Sequence, residues 1–177
     1  GFIGIECCRK FLDAGWSVHV LDCRPLDPNI ELFQRTKCSY QQGDIRLVSD
    51  VKNAIQGCDA VVHLAAQISV PKSIEHPDEN YKINVLGTQN VLDAALNHGI
   101  SSLISASSAA VYGDANILPL DEVQAGTCLS PYAESKWENE HQIQQCRKDG
   151  LNAIALRFFN VYGPGQDGAG GYASVIP

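Results

Sequence analysis

A tyrosine and a lysine four residues apart, Tyr132 and Lys136, are the residues of this sequence whose spacing has the clearest chemical meaning. On a helix, residues four apart lie on one face. An ammonium group beside a phenol stabilises the phenolate, which lowers the pKa of the tyrosine from about 10 toward neutrality and makes it a usable general base. Of the six tyrosines, only Tyr132 has a lysine at the fourth following position. The pattern also occurs as surface decoration, so its meaning depends on its neighbours.

Two consecutive serines strengthen the catalytic interpretation. Ser107 and Ser108 follow a predicted strand, and Ser108 stands 24 residues before Tyr132. In a parallel sheet the carboxyl end of that strand lies beside the next helix. A serine hydroxyl there can bond the substrate oxygen that Tyr132 deprotonates.

The first residues of the chain, and the aspartate that closes the predicted strand 17–21, suggest a dinucleotide site. Gly1 and Gly4 fit the last two glycines of a phosphate-binding turn, in which the residues from Gly1 through Phe2 and Ile3 open a helix toward a diphosphate. Two glycines alone also suit an ordinary loop before a helix. Asp22 closes the predicted strand 17–21, the second strand of a dinucleotide-binding fold, where a carboxylate can accept both adenosine ribose hydroxyls and repel a 2′-phosphate. This favours NAD over NADP, although Arg24 two residues on would weaken the preference, and an aspartate that only caps a turn is the alternative.

The order of elements predicts the scaffold for these residues. Apolar, β-branched runs alternate with stretches of helical periodicity, which is typical of βαβ units and a parallel sheet. We therefore predict an α/β fold, a Rossmann-type, doubly wound, three-layer domain with right-handed crossovers. The predicted strands are 17–21, 38–42, 60–65, 101–106 and 151–158, and the predicted helices are 3–14, 46–56, 78–98 and 131–148.

Residues after the middle strands are weaker candidates for cofactor contacts. Asp44 and Ile45 follow the predicted strand 38–42 and could meet the adenine edge, although Gly-Asp is common in turns. Leu64, Ala65 and Ala66 end the predicted strand 60–65, where small residues permit close approach of a dinucleotide but equally suit a packed strand end.

Two polar residues lie inside predicted elements. His63, within an apolar strand, is interpreted as a hydrogen-bonded core histidine rather than a base. Asn84 lies inside the long predicted helix, where asparagine is unfavourable because its side chain competes for backbone hydrogen bonds. Either it bonds the loop that bears the catalytic residues, or it faces solvent.

Both ends of the chain shape the expected domain organisation. A Rossmann fold carries a central first strand before its glycine turn, but here the helix opens at Gly1, and no methionine occurs anywhere. We expect residues 1–177 to be the NAD-binding domain of a longer protein, without its first strand and C-terminal substrate domain. Residues 163–177 would begin the glycine-rich substrate-binding region. We do not expect this stretch to be active by itself.

Composition excludes several other classes of function. The net charge of −7 disfavours nucleic acid or an anionic membrane as partner, since both need a basic surface. No apolar run is long enough to span a bilayer, and no signal peptide is evident. The seven cysteines include no C-x-x-C pair, so we expect no metal site and predict reduced thiols in the cytoplasm.

Six segments together carry a resemblance to a known family. The chain resembles the extended short-chain dehydrogenase/reductase family, in its NAD-dependent nucleotide-sugar epimerase/dehydratase branch, and is most similar to the UDP-glucose 4-epimerase-like enzymes. The segments are GFIG (1–4), the strand that ends at Asp22, VVHLAA (61–66), SSAAVYG (107–113), PYAESK (131–136) and LRFFNVYGPGQ (156–166).

The resemblance implies roles for individual residues. Ser108 would be the catalytic serine and Tyr132 the base, while Lys136 would bind the cofactor ribose. By the same resemblance Asn160 and Ser69 would contact the nucleotide-sugar substrate. Further residues would line the cofactor site, including Asn84, Phe159 and Tyr132 itself.

The implied activity is NAD-dependent epimerisation of a UDP-sugar at C4 through a transient 4-keto intermediate. The 4,6-dehydratases of the family carry an Asp-Glu pair after the catalytic serine or threonine, and this chain has Ala109 and Ala110 there, which disfavours dehydration. A nucleotide-sugar decarboxylase or reductase on the same fold is an alternative, and a non-catalytic NAD-binding regulatory protein is another. A homodimer is expected by analogy alone.

Overall fold

The computed structural model describes residues 1–114, 117–163 and 165–166. Most of the predicted glycine-rich region, 163–177, therefore lies outside the described residues. The described residues form five parallel strands: β1 (Val18–Asp22), β2 (Cys38–Gln42), β3 (Ala60–His63), β4 (Ser102–Ser108) and β5 (Ala153–Phe158). The helices are α1 (Phe2–Asp13), α2 (Val48–Ile55), α3 (Val70–Glu75), α4 (Pro77–Tyr81), α5 (Gly87–Asn97) and α6 (Pro131–Lys148).

The strands pair in an order that agrees with the Rossmann-type prediction. β1 pairs with β2, and β3, β4 and β5 pair in that order, all in parallel. In the doubly wound order 3-2-1-4-5-6, these are strands 2 and 3 on one side and strands 4 to 6 on the other. In that order, strand 1 would stand between β1 and β3, and it would be the strand expected before Gly1.

One face of the β3–β5 sheet supports the hydrophobic core. Helices α2, α5 and α6 contribute apolar side chains that pack with those of β4 and β5. Val51, Leu92 and Leu103 are at most 1% exposed, and they come from three different elements. Burial of side chains of this size stabilises the fold by about 1.5–3 kcal/mol each.

The opposite face of this sheet presents apolar side chains to solvent. Val62, Ile104 and Ile154 are direct cross-strand neighbours in register, and each is at least 37% exposed. Parallel sheets are ordinarily covered on both faces. Within the described residues, the β3–β5 sheet is covered on one face only.

The segment between β3 and β4 differs most from the prediction. No helix was predicted between strand 60–65 and helix 78–98, but α3 forms there. Pro71 stands in its first turn, where the missing N–H of proline costs nothing. The single long helix predicted for 78–98 is divided into α4 and α5 by a π-helical turn at Lys82–Leu86. Periodicity alone does not reveal such a turn, since both flanking helices keep helical spacing.

A largely buried ion pair joins α6 to β5 and β4. Arg157 donates to both carboxylate oxygens of Glu140, at 2.9 and 2.7 Å, and Ser107 donates to the same carboxylate at 2.5 Å. The Arg157 guanidinium also donates to the Tyr112 hydroxyl at 3.1 Å and to the Glu122 carbonyl at 2.8 Å. The two charged side chains are 14% and 8% exposed. Both charges are therefore desolvated but fully engaged.

We predict that Glu140→Gln lowers the free energy of unfolding by about 3 kcal/mol, because it leaves the Arg157 charge buried without its partner. The matched control is Asp13→Asn, which breaks the exposed Asp13–Arg35 pair and should cost less than about 0.5 kcal/mol. Urea denaturation of the three proteins measures the difference. Equal costs for the two substitutions would contradict the central role of the buried pair.

Candidate active site

Helix α6 lies across the carboxyl end of β4, and two hydrogen bonds fix its position. Lys136 Nζ donates to the Ala106 carbonyl at 2.9 Å, and one turn later Glu140 accepts from Ser107. Residues four apart share a helix face. Tyr132 therefore begins the same face, one turn before Lys136, at the end of the strand that leads to the serines.

Ser108 ends β4 and caps the short 3₁₀ helix at Ala109–Tyr112. Its Oγ accepts the Ala110 N–H at 3.1 Å. A hydroxyl that accepts through a lone pair keeps its own proton for donation. Ser108 is only partly buried, so a ligand at this sheet edge can reach it. Ser107 points to the buried ion pair instead, which separates the roles of the two serines.

The Lys136 side chain is buried, and its environment disfavours the charge. Desolvation lowers the pKa of the Lys136 ammonium from 10.5 to about 8. The Ala106 carbonyl is an acceptor for one of its protons. An ammonium in such a site readily donates hydrogen bonds to further oxygen atoms, since these replace part of its lost hydration.

His63 is a core histidine, as predicted. Its Nε2 lies 2.9 Å from the Thr88 hydroxyl, and both residues are buried. Burial and the neighbouring Lys136 charge lower the pKa of His63 to about 3, so the ring stays neutral near pH 7. A neutral His63 adds no positive charge beside Lys136.

Asn84 is buried in the π-helical turn and joins the loop after β3 to α6. Its Oδ1 accepts the Gln67 N–H at 2.8 Å, and its Nδ2 donates to the Gln67 carbonyl and to the Ser135 hydroxyl, both at 3.0 Å. Its own carbonyl accepts from Asn139 at 2.8 Å. The solvent-facing alternative is excluded. Its partners lie on α6, which carries Tyr132 and Lys136, and in the loop after β3.

The amino end of α1 and the end of β1 converge on one edge. The Asp22 carboxylate lies 3.6 Å from the Gly1 nitrogen and accepts the Arg24 backbone N–H at 3.0 Å and the Arg24 guanidinium at 3.2 and 3.3 Å. Burial alone would raise the pKa of Asp22, but the Arg24 bonds outweigh it and lower that pKa below its ordinary value. Asp22 is therefore an ionised acceptor near neutral pH.

The two glycines of α1 are not required by packing among the described residues. A Cβ at Gly1 would lie 3.6 Å from Arg24 Nη2, and one at Gly4 would lie 3.9 Å from Leu64 Cδ1. Both are ordinary contacts. The short distance between Leu64 and the Cβ position of Gly4 also shows that Leu64, which follows β3, lies beside α1.

The other predicted contact residues have mixed positions. Ile45 is buried and packs against Gly87, where a Cβ would come within 2.7 Å of it, so its side chain faces the core rather than the adenine edge. The Asp44 carboxylate is held by Arg46 at 2.5–3.1 Å. Ala65 is exposed and Ala66 partly buried after β3.

The predicted substrate contacts Ser69 and Asn160 lie on two separate loops, and Phe159, predicted to line the cofactor site, precedes Asn160. Ser69 is the N-cap of α3, and its Oγ accepts the Lys72 N–H at 3.3 Å. Phe159 and Asn160 follow β5 and are exposed. The centre of the Phe159 ring lies 6.1 Å from that of Tyr112. Tyr112 ends the 3₁₀ helix that begins after Ser108, the predicted catalytic serine.

Comparison with known proteins identifies the family. Residues 1–177 match the family described as NAD dependent epimerase/dehydratase. The chain belongs to this family. It is 39% identical to the UDP-glucose 4-epimerase of Bos taurus, over 95% of this chain and 53% of that protein.

Solved structures of epimerase/dehydratase enzymes have the same fold. The Thermus thermophilus UDP-glucose 4-epimerase in complex with NAD superposes with a TM-score of 0.88 at 33% identity, over 98% of this chain and 57% of that one. The Streptomyces venezuelae dTDP-glucose 4,6-dehydratase, with NAD bound, has a TM-score of 0.84 at 30% identity, over 95% and 56%. The chain thus spans a little over half the length of these relatives.

Several residues around the family's site were not found from the sequence. Glu140 and Arg157 are one such pair, and a lone arginine within the apolar run AIALRF was the available signal. Gln67 and Ser73 gave no signal, because each acts through contacts distant in sequence. Within the described part of the chain, no cluster of His, Cys, Asp or Glu is arranged to hold a metal, and no helix is long and apolar enough to cross a membrane.

The depressed pKa of Lys136 predicts a pH-dependent stability. Between pH 8 and 10.5 the unfolded chain holds a proton that the folded, cofactor-free protein has released, so the free energy of unfolding rises with pH in this window. Relative to Lys136→Met, the wild type should gain on the order of 3 kcal/mol across it. Denaturation at several pH values measures this gain, with Lys148→Met as the control at the exposed end of the same helix. A constant difference between wild type and Lys136→Met would contradict the assignment.

Proposed function

We propose that the protein binds NAD at the edge formed by α1, β1 and β3. The amino end of α1, residues 1–4, offers backbone N–H groups and a positive helix dipole to the diphosphate. The room above Gly1 and Gly4 supports this, since packing within the chain gives no reason for glycine there. Asp22 would accept the adenosine ribose hydroxyls. Leu64, Ala65 and Ala66 would lie along the dinucleotide.

We also propose a smaller set of direct adenine contacts than the sequence suggested. The Ile45 side chain is in the core, so Asp44 and the backbone of Ile45 are the groups left to face the adenine. Asn84 serves the site indirectly, because both of its amide hydrogens are donated within the protein. Arg24 partly neutralises Asp22, which moderates the preference for NAD over NADP.

The proposed reaction is epimerisation of a UDP-sugar at C4. The observation that carries it is the register of α6 on β4, with Lys136 bonded to Ala106 beside Ser108. Tyr132 would take the proton of the C4 hydroxyl, and Ser108 would donate a hydrogen bond to the same oxygen. Lys136 would hold the nicotinamide ribose, and its charge would favour the Tyr132 phenolate. When bound, NAD supplies reversible oxidation at C4, so that a transient 4-keto sugar can be reduced from its other face.

Residues beside Ser108 favour epimerisation over dehydration. Loss of water from the sugar needs a further acid and base, and the methyl groups of Ala109 and Ala110 can supply neither. The Streptomyces venezuelae dehydratase is nevertheless similar in fold, so the fold alone does not choose between the two reactions. Asn160 and Ser69 are proposed substrate contacts.

The remaining proposals concern the setting of the protein. The net charge of −7 disfavours nucleic acid as a partner. We propose that the enzyme is cytoplasmic. A homodimer is proposed by analogy with the family. Residues 1–177 would form the NAD-binding domain, with 163–177 leading to the substrate-binding region.

Tyr132→Phe in the full-length protein tests the assignment of the base. The phenyl ring cannot accept the C4 proton, so turnover of UDP-glucose and UDP-galactose should fall by at least about 10²-fold. NAD content, measured by release and absorbance, should be unchanged, because the substitution removes only the phenol hydroxyl and leaves the other proposed cofactor contacts in place. Retained turnover would defeat the proposal.

Product analysis separates the alternative activities. Epimerisation conserves both carbon and redox state, so a labelled UDP-sugar should yield only its C4 epimer. Release of labelled carbon dioxide would indicate the decarboxylase, and net formation or loss of NADH would indicate the reductase. NAD binding without turnover of any UDP-sugar would indicate the regulatory protein.

A further inference from the structure

Ser73, in the short helix α3, touches the backbone of the proposed catalytic base. Its side chain is completely buried. Ser73 Oγ accepts the Tyr132 N–H at 3.1 Å and donates to the Val70 carbonyl at 2.7 Å. Ser73 and Tyr132 are 59 positions apart in the chain. A buried hydroxyl with both its proton and a lone pair engaged is held in one orientation.

The first turn of α6 explains why this contact matters. The first N–H groups of a helix have no partner within the helix. Here Pro131 has no N–H, Ala133 donates to the N-cap Ser130 hydroxyl at 3.1 Å, and Glu134 donates to the Ser130 carbonyl at 2.9 Å. Tyr132 is the remaining position of this turn, and its N–H donates to Ser73. Ser73 fills that place from a different element.

Helix α3 is itself anchored, so Ser73 is a fixed point. Ser69 caps its amino end. Just before it, Gln67 is held through its backbone by Asn84 and through its side-chain oxygen by Asn80 at 2.8 Å. Asn84 also bonds Ser135 on α6. The segment made of the loop after β3 and helix α3 is therefore bonded to α6 in two ways, through Asn84 and through Ser73.

We propose that Ser73 is a positioning residue for Tyr132. Its hydroxyl fixes the Tyr132 backbone at the second position of α6, which sets where the phenol stands relative to Ser108 and Lys136. The role rests on the proposed function of Tyr132 as the base. Displacement of a reacting group by about 1 Å can cost about 10²-fold in rate, so a small shift of this backbone is enough to matter.

Ser73→Ala in the full-length protein tests the proposal, with Ser130→Ala as its matched control. Each substitution removes one hydroxyl that caps one N–H in the same helical turn, so their effects on stability should be comparable. Ser73→Ala should lower kcat for UDP-galactose by about tenfold to hundredfold, with KM changed less than about threefold and NAD content unchanged. Ser130→Ala should lower kcat by less than about threefold.

Amide hydrogen exchange supplies a readout that does not depend on the reaction. Exchange at the Tyr132 amide should be at least about tenfold faster in Ser73→Ala, while Ser130→Ala should accelerate the Ala133 amide instead. Equal kcat losses in the two variants, or an unchanged Tyr132 amide, would overturn the role of Ser73, and so would a Ser73→Ala protein that does not fold. Failure of the base assignment itself is seen separately, as turnover retained by Tyr132→Phe.

Discussion

Glu140 and Arg157 are charged groups taken out of water, and the chain arranges three elements to satisfy them. Each ion would cost several kcal/mol if it were buried alone. The Arg157 guanidinium donates to Glu140, Tyr112 and the Glu122 carbonyl, and it lies 4.9 Å from the centre of the Tyr112 ring. A shift of α6 by one turn would break these bonds together. The pair therefore fixes the register of α6 on β4 and β5.

The positions of the chemical groups follow from that register. Lys136 lies one turn before Glu140 and is directed at the Ala106 carbonyl, and Tyr132 lies a further turn before it. A second set of contacts, centred on Asn84 in the π-helical turn, joins the same helix to the loop after β3. Inserted π turns are frequent at functional sites, because the extra residue redirects a side chain. Here it allows an asparagine to bond two elements at once.

Sequence patterns predicted the parts of the structure that depend on local signals. The bounds of α6 were predicted correctly, since Pro131 starts the helix and Gly150, with φ near 102°, follows its end. β2 was also predicted with its observed bounds. Helix α3 was missed, because six residues with a proline give no periodic signal. The division of the long helix was missed because a π turn preserves the apolar spacing on either side.

The candidate site was predictable in its residue types but not in its supporting contacts. Tyr132, Lys136 and Ser108 stand in recognisable patterns, and burial of His63 follows from its apolar strand. The sequence suggested that Asp44 and Ile45 could meet the adenine edge, but only the fold shows that the Ile45 side chain itself packs against Gly87. Ser73 and Gln67 act through partners far away in sequence, for which a single sequence carries no record.

A crystal structure of the full-length protein with NAD and UDP-glucose tests the proposed site most directly. Tyr132 Oη and Ser108 Oγ should both lie about 3 Å from the C4 oxygen of the sugar. Lys136 Nζ should bond the nicotinamide ribose, and the Tyr132 N–H should still donate to Ser73. A sugar whose C4 oxygen is held by other groups, with Tyr132 beyond hydrogen-bond reach, would contradict the proposed site.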